Sequence, residues 1–227
     1  MIKHHPDENT LSEYCAGSID WAVGIAVAAH LHHCPKCRTQ VQNMSQVGGA
    51  LLREVKAEKP SEALFAQTLA KVRALRETEN QEKLEHTQKC ETMTRDPLLR
   101  NLPPVVEKLA ARNRISWKKV SPSLKLAKLK TGQDLYEVAF HRICAGGKVV
   151  EHDHRGIEMT MVLKGSFSDE DGVYSEGDFI VRQIGDVHKP IAAQNQDCLC
   201  LTVSEAPVAV TGLLGKVINP FLSVNPQ

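Results

Sequence analysis

The chain has 227 residues, room for one large domain or two small ones, each with its own core. Hydrophobic residues make up 42% and charged residues 24%, ordinary globular proportions that argue against a disordered or fibrous protein. The 28 Lys and Arg nearly cancel the 27 Asp and Glu, so neither direct nucleic-acid binding nor a polybasic membrane patch is expected.

The first eight residues lack the apolar core of a signal peptide. The most apolar stretch, residues 19–29, is about half a bilayer span and contains Asp20. No membrane segment is expected, and the expected location is the cytoplasm. Residues 1–75 read as helical. Thr10-Leu11-Ser12-Glu13 offers a cap for a short helix that Gly17-Ser18 breaks, and Asp20 or Ser18 can cap a second helix running to His30. A third helical run covers roughly 35–56. A fourth follows Pro60-Ser61-Glu62, where Leu64, Phe65, Leu69, Val72 and Leu75 form an apolar stripe at helical spacing. That stripe suits either packing within its own bundle or docking to a partner.

Charges dominate residues 76–100 and apolar side chains are sparse, while Asp96-Pro97 and Pro103-Pro104 punctuate the segment. Residues 76–113 are therefore expected to be a charged connector. From residue 114 to 227 the period changes to two, with strands near 124–129, 135–140, 159–163, 178–182 and 198–203. Turns fall at Gly146-Gly147, Gly172, Gly177 and Gly185. The expected fold class is α+β multidomain: a small N-terminal metal-binding helical bundle, then an antiparallel barrel or jelly roll.

Soft metal ligands are plentiful, with 7 Cys and 10 His. An odd cysteine count without an export signal points to reduced thiols and metal binding rather than disulfides. In His30-Leu-His-His-Cys34-Pro-Lys-Cys37, positions i, i+4 and i+7 share a helical face, or Cys37 joins from the start of the next helix after Pro35. Two thiolates and an imidazole leave one place in a tetrahedral zinc site, which His5 can fill; spacing does not separate His5 from His4. A redox role for the Cys34/Cys37 pair would need a βαβ context that this helical region lacks. His32 and His33 fall off the shared face.

A second set follows. In a strand His152 and His154 point the same way, and Glu158 and His188 from neighbouring strands complete a three-imidazole, one-carboxylate site for zinc or another divalent transition metal. Gly146-x5-His152-x-His154-x3-Glu158-x6-Gly165, then Gly177-x5-Gln183-x-Gly185-x2-His188, resembles the two-part signature of the cupin family, with Gln183 where proline is usual. Asp186 reads as a turn residue. Cys198 and Cys200 share a strand face and are candidates for a redox pair or for core packing; Cys15, Cys90 and Cys144 receive no role.

The two ligand sets together resemble the ChrR-like zinc-binding anti-sigma factors. The resemblance covers His4-His5, residues 11–38, 149–167 and 177–190. It implies that the first set holds a structural zinc in a domain that sequesters an extracytoplasmic-function-type sigma factor. It further implies that the second set holds a metal in a cupin domain linked to release under singlet oxygen or organic hydroperoxide. The Leu64, Phe65, Leu69 and Val72 stripe would then be a partner-binding face. The rival reading is a metal-dependent cupin enzyme, a dioxygenase or isomerase with a helical dimerisation domain, so homo-oligomerisation stays open. No persuasive general base beyond the ligands favours it.

Overall fold

The structure is a computed structural model that describes residues 2–76 and 96–211. Most of the charged run, with Cys90, and residues 212–227 lie outside the described residues.

Helix α1 (Glu8–Ala16) starts at Asp7, whose carboxylate accepts from the Thr10 amide at 2.7 Å, so the cap sits three residues before Thr10. Gly17 ends α1 at φ 71°, a left-handed turn that glycine adopts without steric cost. Asp20 caps α2 (Trp21–His33) through the Ala22 amide. Cys34 both closes α2 and caps α3 (Pro35–Glu54), with Pro35 in the first turn forcing the break. Residues 62–76 form α4. A 3-10 turn at Pro97–Leu99 and α5 (Pro104–Arg112) precede the strands.

The strands are β1 (Lys118–Lys119), β2 (Leu124–Leu129), β3 (Glu137–Ile143), β4 (His152–His154), β5 (Glu158–Lys164) and β6 (Ser166–Ser168). They continue with β7 (Val173–Ser175), β8 (Phe179–Arg182), β9 (Val187–His188), β10 (Ile191–Ala192), β11 (Cys198–Ser204) and β12 (Val208–Val210). A six-stranded sheet runs β1-β2-β3-β11-β5-β8, and three-stranded sheets β10-β6-β7 and β12-β4-β9 complete the antiparallel β-region. All pairings are antiparallel.

Strand alternation sorts the large sheet into two faces. Ile143, Val162, Cys198 and Cys200 point into the barrel, whereas Phe140, Met161, Leu163, Leu199 and Leu201 point out. The outward face is not wet. Helix α2 lies against it, burying Ala22, Val23, Ile25, Ala26, Val27, Ala29 and Leu31 in one core with the sheet. A helix apolar on nearly every side needs such a covering.

The helical N-terminal region is followed by the antiparallel sheets as expected, and its core continues into the large sheet. Within the stretch expected as a charged connector, Leu102, Val106, Leu109 and Ala110 are buried, the last three at i, i+3, i+4 spacing in α5. The apolar stripe of α4 behaves differently. Leu64 and Phe65 are 54% and 58% exposed, and Leu69, Val72 and Leu75 are exposed too. Among the described residues, no single helix is long and apolar enough to cross a membrane.

Candidate metal centres

His5, His30, Cys34 and Cys37 come together at the junction of the N-terminal segment, the last turn of α2 and the first turn of α3. The break at Pro35 lets Cys37 approach from the second helix. His5 Nδ1 lies 3.5 Å from His30 Nε2 and 3.4 Å from each sulfur. Metal–nitrogen bonds of about 2.0–2.1 Å and metal–sulfur bonds of about 2.3 Å give tetrahedral ligand–ligand edges of roughly 3.3–3.8 Å, so the donor set fits one ion. His30, Cys34 and Cys37 are buried. The His30 Nδ1–H donates to the Gly177 carbonyl at 2.8 Å, which turns the Nε2 lone pair toward the cluster.

Burial lowers the His30 pKa to about 4, so the ring is neutral and able to ligate at physiological pH. Burial, and then the Cys34 side chain, push the Cys37 thiol up to about 12, so binding an ion there displaces a proton. His4 does not reach the cluster; its ring packs on Tyr174 with centroids 4.7 Å apart. His32 is exposed, and His33 lies 4.0 Å from Glu176.

The second group is built on β4. His152 and His154 point inward from alternate positions, and the register sets His152 opposite His188 on β9, with their Nε2 atoms 3.1 Å apart. Donor atoms of these three histidines lie within 4.8 Å of one another. The His152 Nδ1–H donates to the Val150 carbonyl and the His188 Nδ1–H to Asp169 Oδ2, so both rings present Nε2 to the group. Among the described residues, neither buried ring nitrogen of His154 has a hydrogen-bond partner, which leaves the ring able to ligate an ion.

The Glu158 carboxylate stands beside this triad rather than within it. It accepts from Thr160 Oγ1 at 3.3 Å and Ser204 Oγ at 3.0 Å, which hold it on the wall of β5 and β11. Burial raises its pKa, but His141, His154 and His152 outweigh that and keep it below the usual carboxylate range. Asp186 accepts from the Gln183 amide as a turn residue.

These groups form one end of a 390 Å³ cavity. His141, His152, Glu158, Thr160 and His188 line its polar end, and Val120, Leu124, Ile143, Val149, Phe167, Val208 and Val210 its apolar wall. Cys200 lines it too, with its sulfur 3.7 Å from that of Cys198. The Cys198 side chain, and then burial, hold the Cys200 thiol well above the ordinary range, as suits a packed pair.

Sequence reasoning missed His141 and Asp169. His141 sits two residues before inward-facing Ile143, so strand parity could have found it. Asp169 lies in a turn with no local signal; only the fold brings it to His188.

The ChrR cupin-like domain family model matches residues 106–208. The anti-sigma-E factor ChrR of Cereibacter sphaeroides is 30% identical over 225 residues, spanning 98% of this chain and 99% of the relative. The crystal structure of Rhodobacter sphaeroides SigE in complex with the anti-sigma ChrR superposes with a TM-score of 0.69 at 28% identity, covering 90% of this chain and 99% of that one. An acetylacetone dioxygenase from Acinetobacter johnsonii gives a TM-score of only 0.41 at 16% identity over 50% of this chain and 83% of that chain.

Proposed function

The chain belongs to the ChrR family of anti-sigma factors, and from that premise we propose that it sequesters an extracytoplasmic-function-type sigma factor in the cytoplasm and releases it under oxidative stress. The observation that carries this reading is an apolar surface exposed, among the described residues, along the far half of α3 and on α4. Val47, Leu51, Leu52 and Val55 on the C-terminal half of α3 and just beyond it, with Leu64, Phe65, Leu69 and Val72 on α4, are all exposed. A lone chain rarely shows so much apolar surface along two helices without a partner. A sigma-factor helix laid against them would bury both faces.

Zinc is the ion we assign to the thiolate-containing centre, whose two sulfurs and two nitrogens suit it. The four ligands join the N-terminal segment to the end of α2 and the start of α3, fixing the angle at which α3 leaves the core. The histidine centre takes zinc or another divalent transition metal.

Detection we assign to the cupin cavity. Its apolar wall suits the organic body of a hydroperoxide, and its polar end brings the peroxide group to the histidines. Cys198 and Cys200 are the reductants at hand: two thiols and one ROOH give a disulfide, ROH and water. The raised pKa of Cys200 makes this slow unless the cavity opens. Singlet oxygen would act on the same thiols and imidazoles.

The test is co-expression of the full chain with a sigma factor encoded beside its gene. Joint purification, and loss of sigma binding to core polymerase, support the reading; separate elution removes it.

A further inference from the structure

Three independent features tie the barrel to the first metal centre, all at the turn 175–179 between β7 and β8. The first is the hydrogen bond from His30 Nδ1 to the Gly177 carbonyl, at 2.8 Å. The second is Asp178, 1% exposed, whose Oδ1 accepts from the amides of Lys3 and His4 at 2.7 and 2.9 Å, while Oδ2 accepts from the Ser175 amide at 2.8 Å. The Phe179 amide donates to the His4 carbonyl at 3.1 Å, so the residue just before His5 is held on both sides. The third is a close approach: Gly177 has φ +94°, and a Cβ there would come within 2.7 Å of Ile2 Cδ1 and 3.1 Å of His33 Cβ.

We propose that this cupin turn is a latch that completes the N-terminal metal centre, with Gly177 and Asp178 as positioning residues for His30 and His5. The local chain does not supply these partners. His30 needs an acceptor for Nδ1 to present Nε2, and the segment carrying His5 precedes α1 with no strand of its own to hold it. Both needs are met by one turn of the other domain. The buried carboxylate of Asp178 accepts three backbone donors, two from the N-terminal segment and one from its own turn. Moving the turn therefore breaks the contact to His30 and those to the backbone just before His5 at once, while Cys34 and Cys37 stay joined through their own helix cap.

The turn also adjoins the second centre. Tyr174, next to it on β7, packs on the His4 ring and donates to Asp169 Oδ1, and Asp169 orients His188. Movement of the barrel wall around His188 thus has a short mechanical route to the clamp. This consequence rests on the anti-sigma reading; the latch itself requires only that the first cluster holds an ion.

Cobalt(II) is the probe, because its thiolate charge-transfer band reports the sulfur-containing centre and is silent on the histidine centre. In full-length protein, Asp178→Asn and Gly177→Ala should lose that band to excess chelator at least about tenfold faster than wild type, the scale typical when a group orienting a metal ligand is removed. Lys3→Pro, which deletes one donor at an exposed position of the N-terminal segment, should shift the rate the same way even if the turn variants fold poorly. Asp197→Asn is the control: it caps a distant cupin turn through Arg142 and the Ala145 amide and should leave the rate unchanged. Rates within about twofold of wild type in folded Asp178→Asn and Lys3→Pro would overturn the latch and leave the anti-sigma reading standing. No thiolate band in the wild type would overturn the latch and the zinc-clip part of that reading together.

Discussion

Asp169 Oδ2 accepts from His188 Nδ1 at 2.9 Å from a carboxylate that is wholly buried and also paired with Arg182. The bond decides which nitrogen of His188 faces His152, so a residue that touches no ion controls how the second centre is assembled.

Asp169→Asn should therefore weaken the histidine centre by about 10–100-fold and leave the thiolate centre filled. Metal analysis after dialysis against a mild chelator should give close to two ions per chain for wild type and close to one for the variant. Two ions retained equally in both would show that the carboxylate does not matter there.

The exposed stripe makes a cleaner separation of stability from binding. Phe65→Asp and Leu69→Asp alter side chains 58% and 38% exposed, so the unfolding midpoint should move by no more than about 0.5 kcal/mol equivalent. Sigma-factor capture by the same variants should be lost. Capture at wild-type affinity would mean that α4 is not part of the binding face.

For metal-stripped protein, acid should act through His30. Burial lowers its folded pKa to about 4, whereas the unfolded ring titrates at 6.5. The folded state therefore binds the proton less readily, and stability falls as pH drops from 6.5 toward 4. The share of the loss due to His30 should be about 2 kcal/mol between about pH 7.5 and pH 5 by linkage, and absent above pH 7. Urea unfolding at the two pH values measures it; a His30→Gln variant with the same slope would assign the effect elsewhere.

Cys200→Ser should leave both ions and sigma-factor capture intact, because the thiol belongs to neither ligand group. Treated with a bulky organic hydroperoxide, wild type should lose two titratable thiols more than the variant, with a Cys198–Cys200 peptide pair visible by mass spectrometry. Equal thiol loss would leave the pair a packing feature only.

The donor groups were legible because metal chemistry imposes spacing that survives without a fold. The i, i+4 step from His30 to Cys34 and the alternation of His152 and His154 are local facts. What the chain hid was everything contributed by distant partners. The choice of His5 over His4 depends on Asp178 and Tyr174, more than 160 residues away in sequence. The sheet that covers α2 is built from strands far along the chain, which the apolarity of the helix alone does not reveal. Glu158 carried the right spacing for a ligand, yet its hydrogen bonds to Thr160 and Ser204 are set by strand neighbours that no motif records.

The most direct test of the account is a binding isotherm of the sigma factor with the full chain, wild type against Cys34→Ser/Cys37→Ser. The account predicts tight binding by wild type with the thiolate centre filled, and binding weaker by at least about a hundredfold, near 2.7 kcal/mol, for the double variant. Equal affinity in both proteins would contradict it, because the sulfur-ligated ion would then have no part in holding the clamp.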